Sequence, residues 1–374
     1  MPDSVSTLSS IIALADDISG AAEIAGVAHR HGLLVRLITS TPNKEGMPGP
    51  GEALVIDTDT RRLSGEQSFS LHQQIAATLG KSGSRIYKKT DSVLRGHIPT
   101  EIRALLESLP HRDALLVPAN PARKRTIQDG VYRIEGIPLH QTEFANDPAF
   151  PITSAKVTEV LPGFQSLPMN STLSPTSNPA RLFIGDALQE ADLRHWAREV
   201  TRDILPAGAS PFFGAWLKHL GFNEQVGTTP WDKHTRILVV SGSFSGNSRQ
   251  TAAEFREKQW PVLELHEQST VQLPADARIA LLKLPPETVP NPETLVEGLT
   301  KWLKDHLARI PEAPTHILIE GGETAASIMH SMHWENFSIL REWEPGTVSL
   351  KVFGSLAPVI TIKPGSYPWP GGIF

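Results

Sequence analysis

Apolar residues fall in short blocks, each closed by a polar turn and followed by a stretch whose apolar positions recur at helical spacing. The first block, Ile11-Ile12-Ala13-Leu14-Ala15, is stopped by Asp16-Asp17, and Ala21 to Ala28 then has helical spacing and ends at Gly32. The pattern continues through Leu33 to Thr39, Ala53 to Asp57, a helix over Gln67 to Leu79, Arg85 to Lys88, a helix over Ile98 to Leu109, and Ala114 to Pro118. Tyr132 to Leu139 alternates about Gly136 and predicts a hairpin. Leu161 to Pro179, rich in Pro, Ser, Thr and Asn, reads as a surface loop or linker. Ile184 to Asp186 then predicts a strand, Ala187 to Asp203 a helix and Ala215 to Leu220 another. Beyond a polar stretch, Gly221 to His234, the alternation resumes with a strand from Arg236, a helix over Ser248 to Lys258, and strands at Val262 to Leu265 and Ile279 to Leu284. A helix over Pro292 to Ala308, a strand over His316 to Glu320, a further helix, and short strands around Val348 to Phe353 and Val359 to Ile362 follow. Alternation of this kind predicts an α/β protein of two domains, residues 1–225 and 235–374, each a mainly parallel sheet flanked by helices. Ligands of such sheets sit beyond the carboxyl ends of the strands, so the polar residues there are the ones to examine.

Composition narrows the chemistry. The chain has 374 residues, 35 Lys and Arg against 40 Asp and Glu, and a formal net charge of −5, so no excess of positive charge is on offer to nucleic acid or an anionic membrane. There is no cysteine, which excludes disulfides, thiolate metal sites and cysteine nucleophiles. Met1 to Ser10 carries Asp3 and no basic run, and the apolar stretch after it is too short to span a bilayer. Neither a secretory leader nor a spanning helix is expected, and the cytoplasm is the expected location.

Four strand ends carry candidate chemistry. Asp16-Asp17, before Ser19-Gly20, can take a sugar hydroxyl, bind Mg²⁺ together with substrate, or cap a helix. In Lys88-Lys89-Thr90-Asp91-Ser92-Val93-Leu94-Arg95, Arg95 can grip a carboxylate through paired hydrogen bonds, Lys88 or Lys89 can add a point charge, and Asp91 can accept a hydroxyl proton; a solvated loop of ion pairs is the plain alternative. Ser241-Gly242-Ser243-Phe244-Ser245-Gly246 is a small-residue loop opening a helix. It suits backbone contact with a phosphate, but is neither a Walker loop nor a nucleophile elbow. Gly321-Gly322-Glu323-Thr324 permits close approach of a phosphate chain, or simply a tight turn. The tail Lys363 to Gly372 can wall an adenine ring or be an extended terminus, and His29, His31, His330 and His333 read as structural or surface groups.

Taken in order, Leu14 to Ala21, Lys88 to Gly96, Val117-Pro118-Ala119-Asn120-Pro121, Gly130-Val131-Tyr132, Pro138 to Pro148, Val240-Ser241-Gly242-Ser243 and Gly321 to Thr324 resemble the four-carbon acid sugar kinase family over nearly the whole chain. The resemblance implies ATP-dependent phosphorylation of a threonate, erythronate or 3-oxo-tetronate at its terminal hydroxyl. It also implies an N-terminal acid-binding domain, a C-terminal nucleotide domain and a ligand cleft between them. By position it implies Asp17 and Asp91 as catalytic residues, Asp16, Lys89 and Arg95 as substrate-binding, and Ser241, Ser243, Gly321, Gly322, Thr324 and Gly365 as nucleotide-binding. Asp16 and Glu323 are the expected Mg²⁺ carboxylates. The implied partners are the small acid and ATP, with no nucleic acid and no membrane; a homo-oligomer is left open. The sequence departs from the family where Glu323 replaces an aspartate and where Lys363-Pro364-Gly365-Ser366-Tyr367-Pro368 replaces a glycine-rich ending. These departures motivate one rival, a sugar-acid sensor without turnover. Val55-Ile56-Asp57-Thr58-Asp59-Thr60 motivates another, an aspartyl phosphatase with Asp57 as nucleophile and Asp59 as acid, although Arg61 spoils that signature.

Overall fold

The computed structural model describes residues 9–374 apart from 44–45, 81, 148, 174–179, 226–235, 244, 267–270, 275–276, 286–291, 310–314 and 356. Residues 1–8, read above for a leader, Phe244 and most of the polar stretch over 221–234 lie outside the described residues. The chain divides into two compact units, residues 1–226 and 227–374. No helix among the described residues is long and apolar enough to cross a membrane.

In the first unit, β1 (Ile11–Ala15), α1 (Ile18–Arg30), β2 (Leu34–Ile38), β3 (Glu52–Asp57), α2 (Gly65–Leu79), β4 (Arg85–Lys89), α3 (Ile98–Ser108) and β5 (Asp113–Val117) alternate as the pattern predicts. Three short strands, β6 (Arg125–Gln128), β7 (Val131–Ile134) and β8 (Ile137–Pro138), pair antiparallel in a sheet of their own, so the expected hairpin gains a strand. Then come α4 (Val157–Val160), β9 (Phe164–Leu167), β10 (Leu182–Gly185), α5 (Glu190–Glu199), β11 (Ile204–Gly208) and α6 (Ser210–His219). The main sheet runs β2-β3-β1-β4-β11-β5-β10-β9, every neighbour parallel. β1 is buried along its whole length, as a strand covered on both faces must be. After β1 the chain builds β2 and β3 on one side and then crosses back to β4 on the other, so the carboxyl end of β1 is a switch point of the sheet.

Two elements correct the sequence reading here. The expected helix over Ala187 to Asp203 is α5 alone, and it is followed by β11, a central strand that the pattern hides because Ile204-Leu205-Pro206-Ala207-Gly208 carries two residues that usually break strands. Pro206 is tolerated because β4 pairs only with Ala207 and Gly208. Gly208 has φ 150°, and a Cβ there would run into the Val117 carbonyl. The expected loop over Leu161 to Pro179 contains β9, a short edge strand beside β10.

The second unit comprises β12 (Arg236–Ser241), α7 (Gly246–Glu257), β13 (Val262–Glu264), β14 (Ile279–Lys283), α8 (Pro292–Arg309), β15 (Thr315–Glu320), α9 (Gly322–Ser331), β16 (Asn336–Glu344), β17 (Thr347–Val352) and β18 (Val359–Lys363). Its strands run β13-β14-β12-β15-β18-β17-β16, parallel from β13 to β18 and antiparallel thereafter. β16 was not expected: its polar, bulged sequence gives no clean alternation. The tail is packed rather than loose, with Phe374 edge-on to Phe255 at 5.3 Å and to Trp369 at 5.9 Å.

Candidate functional site

In the first unit the carboxyl ends of three adjacent strands, β3, β1 and β4, bring charge together. Asp16 and Asp17 leave β1, Arg61 follows β3, and Asp91 follows β4. Arg61 Nε donates to Asp16 Oδ2 at 2.8 Å and Nη1 to Asp17 Oδ2 at 3.1 Å, while Nη2 lies 3.9 Å from Asp91 Oδ1. Arg95 grips Asp91 with two bonds, Nε to Oδ2 at 3.1 Å and Nη2 to Oδ1 at 3.0 Å, and Nη1 donates to Asp147 Oδ2 at 3.1 Å. Asp17 also caps α1, its Oδ1 accepting from the Gly20 amide at 3.0 Å, so the capping alternative and a site role coexist in one side chain.

The adjacent lysines part company because successive residues of a strand face opposite ways. Lys88 Nζ lies 2.8 Å from Glu101 Oε2 with both side chains buried, and Glu101 Oε1 accepts from Thr60 at 2.6 Å and Ser68 at 2.9 Å. That pair belongs to the core. Lys89 Nζ lies 3.4 Å from Glu23 Oε2, donates to the Thr90 carbonyl at 3.0 Å, and is close to the place a Cβ on Gly20 would occupy. Of the two lysines read as point charges, Lys89 is the one at this end of the sheet.

Electrostatics separates the two carboxylates expected to act on a hydroxyl. Burial pushes the Asp17 carboxyl above its ordinary value, opposed by Arg61 and reinforced by Asp16. Burial would raise Asp91 as well, but Arg95 and then Arg61 hold it well below the usual carboxylate range. Burial works against the charge on Lys89, yet Glu23, Asp17, Asp16 and Asp91 outweigh it and keep the ammonium protonated. Asp16 is 2% exposed, and its Oδ1, like Thr90 Oγ1, is buried without a hydrogen-bond partner among the described residues. Such atoms are what a polar ligand satisfies. Asp57, the nucleophile of the phosphatase rival, is buried, and desolvation, then Asp59 and Asp17, push its carboxyl well above the ordinary value, which works against the ionised form a nucleophile needs.

In the second unit the ends of β12, β15 and β18, also adjacent, converge. A Cβ on Gly365 would lie 2.6 Å from Ser243 Oγ, one on Gly321 would lie 3.5 Å from Thr324 Oγ1, and one on Gly242 would collide with that same hydroxyl. Ser243, Gly321, Thr324 and Gly365 are thus brought together. Gly321 has φ 104° and begins α9 without a side-chain cap, and the start of a helix attracts anions. Ser241 is buried, its hydroxyl 2.8 Å from that of Ser248, and serves to fix the start of α7. Ser245 caps α7 and donates to the Gly365 carbonyl at 2.6 Å, which ties the tail to the loop. Beneath it Lys363 Nζ lies 2.8 Å from Glu320 Oε1, both fully buried. Glu323 is exposed on the first turn of α9. Among the described residues no cluster of three or more His, Cys, Asp or Glu forms a metal cage. A Mg²⁺ that arrives on phosphates needs only one or two carboxylates, which Glu323 or the Oδ1 of Asp16 can supply.

Sequence reasoning missed Arg61, Glu23 and Asp147. Arg61 stood in view only as a mismatch to another signature, Glu23 lies in a helix without local signal, and Asp147 lies in a segment that carries the resemblance but was given no role.

The first unit is thus a doubly wound α/β fold with a charged cluster at its strand ends, and the second a mixed sheet with a glycine cradle at its own; ligands of open α/β sheets sit at such ends. The chain belongs to the sugar-binding N-terminal domain family, whose model matches residues 11–216. It is 29% identical to a D-threonate kinase of Salmonella typhimurium over 259 residues, which covers 64% of this chain and 59% of that protein. It is 24% identical to a 3-oxo-tetronate kinase of Brucella melitensis, covering 95% of this chain and 92% of the other. The fold matches the crystal structure of a Haemophilus influenzae protein of the DUF1537 family with a TM-score of 0.69 at 19% identity, over 95% of this chain and 96% of that one.

Proposed function

We propose that this protein transfers the γ-phosphoryl group of ATP to the terminal hydroxyl of a four-carbon sugar acid of the threonate, erythronate or 3-oxo-tetronate type. The observation that carries the reading is the meeting of Asp16, Asp17, Arg61 and Asp91 at the switch point of the first unit, with one carboxyl pushed up and one held down. The names of the relatives support it. Asp17 is the base that accepts the hydroxyl proton, since its raised affinity for protons suits that role better than the suppressed Asp91. Arg61 holds both neighbouring carboxylates in place, Asp16 accepts a second substrate hydroxyl through Oδ1, and Lys89 supplies fixed positive charge. Arg95 keeps Asp91 ionised and oriented. The phosphates lie on Ser243, the start of α9 after Gly321, and Gly365; close backbone approach and the helix dipole favour anions there. Phosphoryl transfer asks for positioning and charge neutralisation, which these residues provide, and bound Mg²⁺ adds to the neutralisation.

The test is ADP release with Mg-ATP over D- and L-threonate, D- and L-erythronate and their 3-oxo forms. Turnover on one acid is expected. Silence across the panel, with acids still raising the melting temperature, would overturn transfer and leave an acid sensor.

A further inference from the structure

Resting on the acid-kinase reading, we infer that Arg125 is the residue that binds the carboxylate of the sugar acid and makes the site select acids over neutral polyols. The other cations around the pocket are already committed. Arg61 is paired with Asp16 and Asp17, Arg95 with Asp91 and Asp147, Lys89 with Glu23, and Lys88 with Glu101. A guanidinium already bonded on two edges has little left for a substrate, so the carboxylate role that the sequence offers to Arg95 passes elsewhere.

Arg125, unlike these four, has no carboxylate partner among the described residues. It is half-buried, and its Nη1 donates to the hydroxyl of Ser92, the residue next to Asp91. Its guanidinium lies over the Phe144 ring at 5.9 Å, and that of Arg95 lies over the same ring at 5.5 Å. The charge of Arg95 is already met by Asp91 and Asp147, that of Arg125 by no carboxylate among the described residues, and partial burial strengthens its attraction to an incoming anion.

The position is also stiff. The Arg125 backbone exchanges hydrogen bonds with Asn120 in both directions, at 2.8 and 3.0 Å, and Tyr132 on the neighbouring strand donates its hydroxyl to the Ser92 carbonyl. No part of the phosphoryl-transfer chemistry requires the small β6-β7-β8 sheet. Its place in the site is then to present a guanidinium without a carboxylate partner to the loop that carries Asp91. Five donors in a planar fork match a carboxylate, and a lysine ammonium would not.

The experiment compares wild type, Arg125→Gln and Arg125→Lys on the acid that wild type phosphorylates and on the matching tetritol, in which a CH₂OH group replaces the carboxylate. Arg125→Gln is expected to raise the KM for the acid about 10- to 100-fold, the worth of a charge-assisted hydrogen-bond pair, and to leave the KM for ATP within about twofold. The preference for acid over tetritol should shrink by the same factor, and Arg125→Lys should recover part of it. If Arg125→Gln fails to fold, Arg125→Lys carries the test, since losing the fork should by itself raise the KM for the acid. An unchanged acid KM, or equal rises for acid, tetritol and ATP, would overturn the assignment while leaving the kinase reading intact. A wild type that neither turns over nor binds any acid in calorimetry would overturn both.

Discussion

Asp17 and Asp91 show how two carboxylates a short distance apart come to differ. Asp91 faces Arg95 along both oxygens and Arg61 at 3.9 Å, so its ionised form is heavily favoured; Asp17 has one arginine contact and a helix amide, with burial prevailing. The base must be ionised to act, so the rate should fall as pH drops through the Asp17 value, above the ordinary 3.8. Asp17→Asn should lower kcat about 100-fold or more and abolish that acid limb in a pH profile of kcat, with the acid KM little changed. An Asp17→Asn enzyme that keeps the limb would shift the base to another group. Arg61 was invisible in the sequence for a physical reason: its value comes from three partners contributed by other strand ends, and nothing in Asp57-Thr58-Asp59-Thr60-Arg61-Arg62 distinguishes the arginine that turns inward from the one after it.

At the scale of the element, helix and strand periodicity recovers the frame of both sheets, from β1 through β5 and from β12 through β15, because buried parallel strands are written as short apolar runs. It fails at β11, where a proline sits on the one side that lacks a ladder partner, and at β16, where antiparallel pairing with bulges leaves no regular alternation. The site followed the same division. Residues at or just after the ends of legible strands (Asp16, Asp17, Lys89, Asp91, Gly321) were legible as candidates, and those brought beside them by distant elements were not. Two predictions belong here. The α2–α3 core holds His72 at a pKa of about 4, through burial and then Lys88, against 6.5 in the open chain. Between pH 6.5 and 4 the unfolded chain binds a proton that the fold refuses, so stability falls as pH is lowered through that window. His72→Gln should flatten this slope in urea titrations by up to about 1.4 kcal/mol per pH unit, one proton's worth, and an unaltered slope would show His72 to be already charged in the fold. In the second unit, Gly365→Val would drive a side chain against Ser243. Calorimetry should show ATP affinity reduced at least tenfold and acid affinity untouched; equal loss of both would contradict separate sites.

The whole molecule comprises two units with their own cores, one built around Ile12, Leu54, Ile102 and Leu116, the other around Val239, Phe255 and Leu318. Ligands confined to one unit should leave their mark there. Hydrogen exchange with the acid alone should slow amides over 85–97, and exchange with ATP alone should slow those over 241–248 and 321–324; protection of the second set by the acid would refute the division of labour. The alternation of Lys88 and Lys89 carries a different kind of consequence. One strand residue closes a core ion pair and the next serves the pocket, so β4 has no spare register. A single-residue insertion or deletion in β4 would turn a lysine onto the wrong face of the sheet, breaking the core ion pair and emptying the strand end of its charge at the same stroke. Variation in this family should therefore reach β4 as substitutions and never as changes of length.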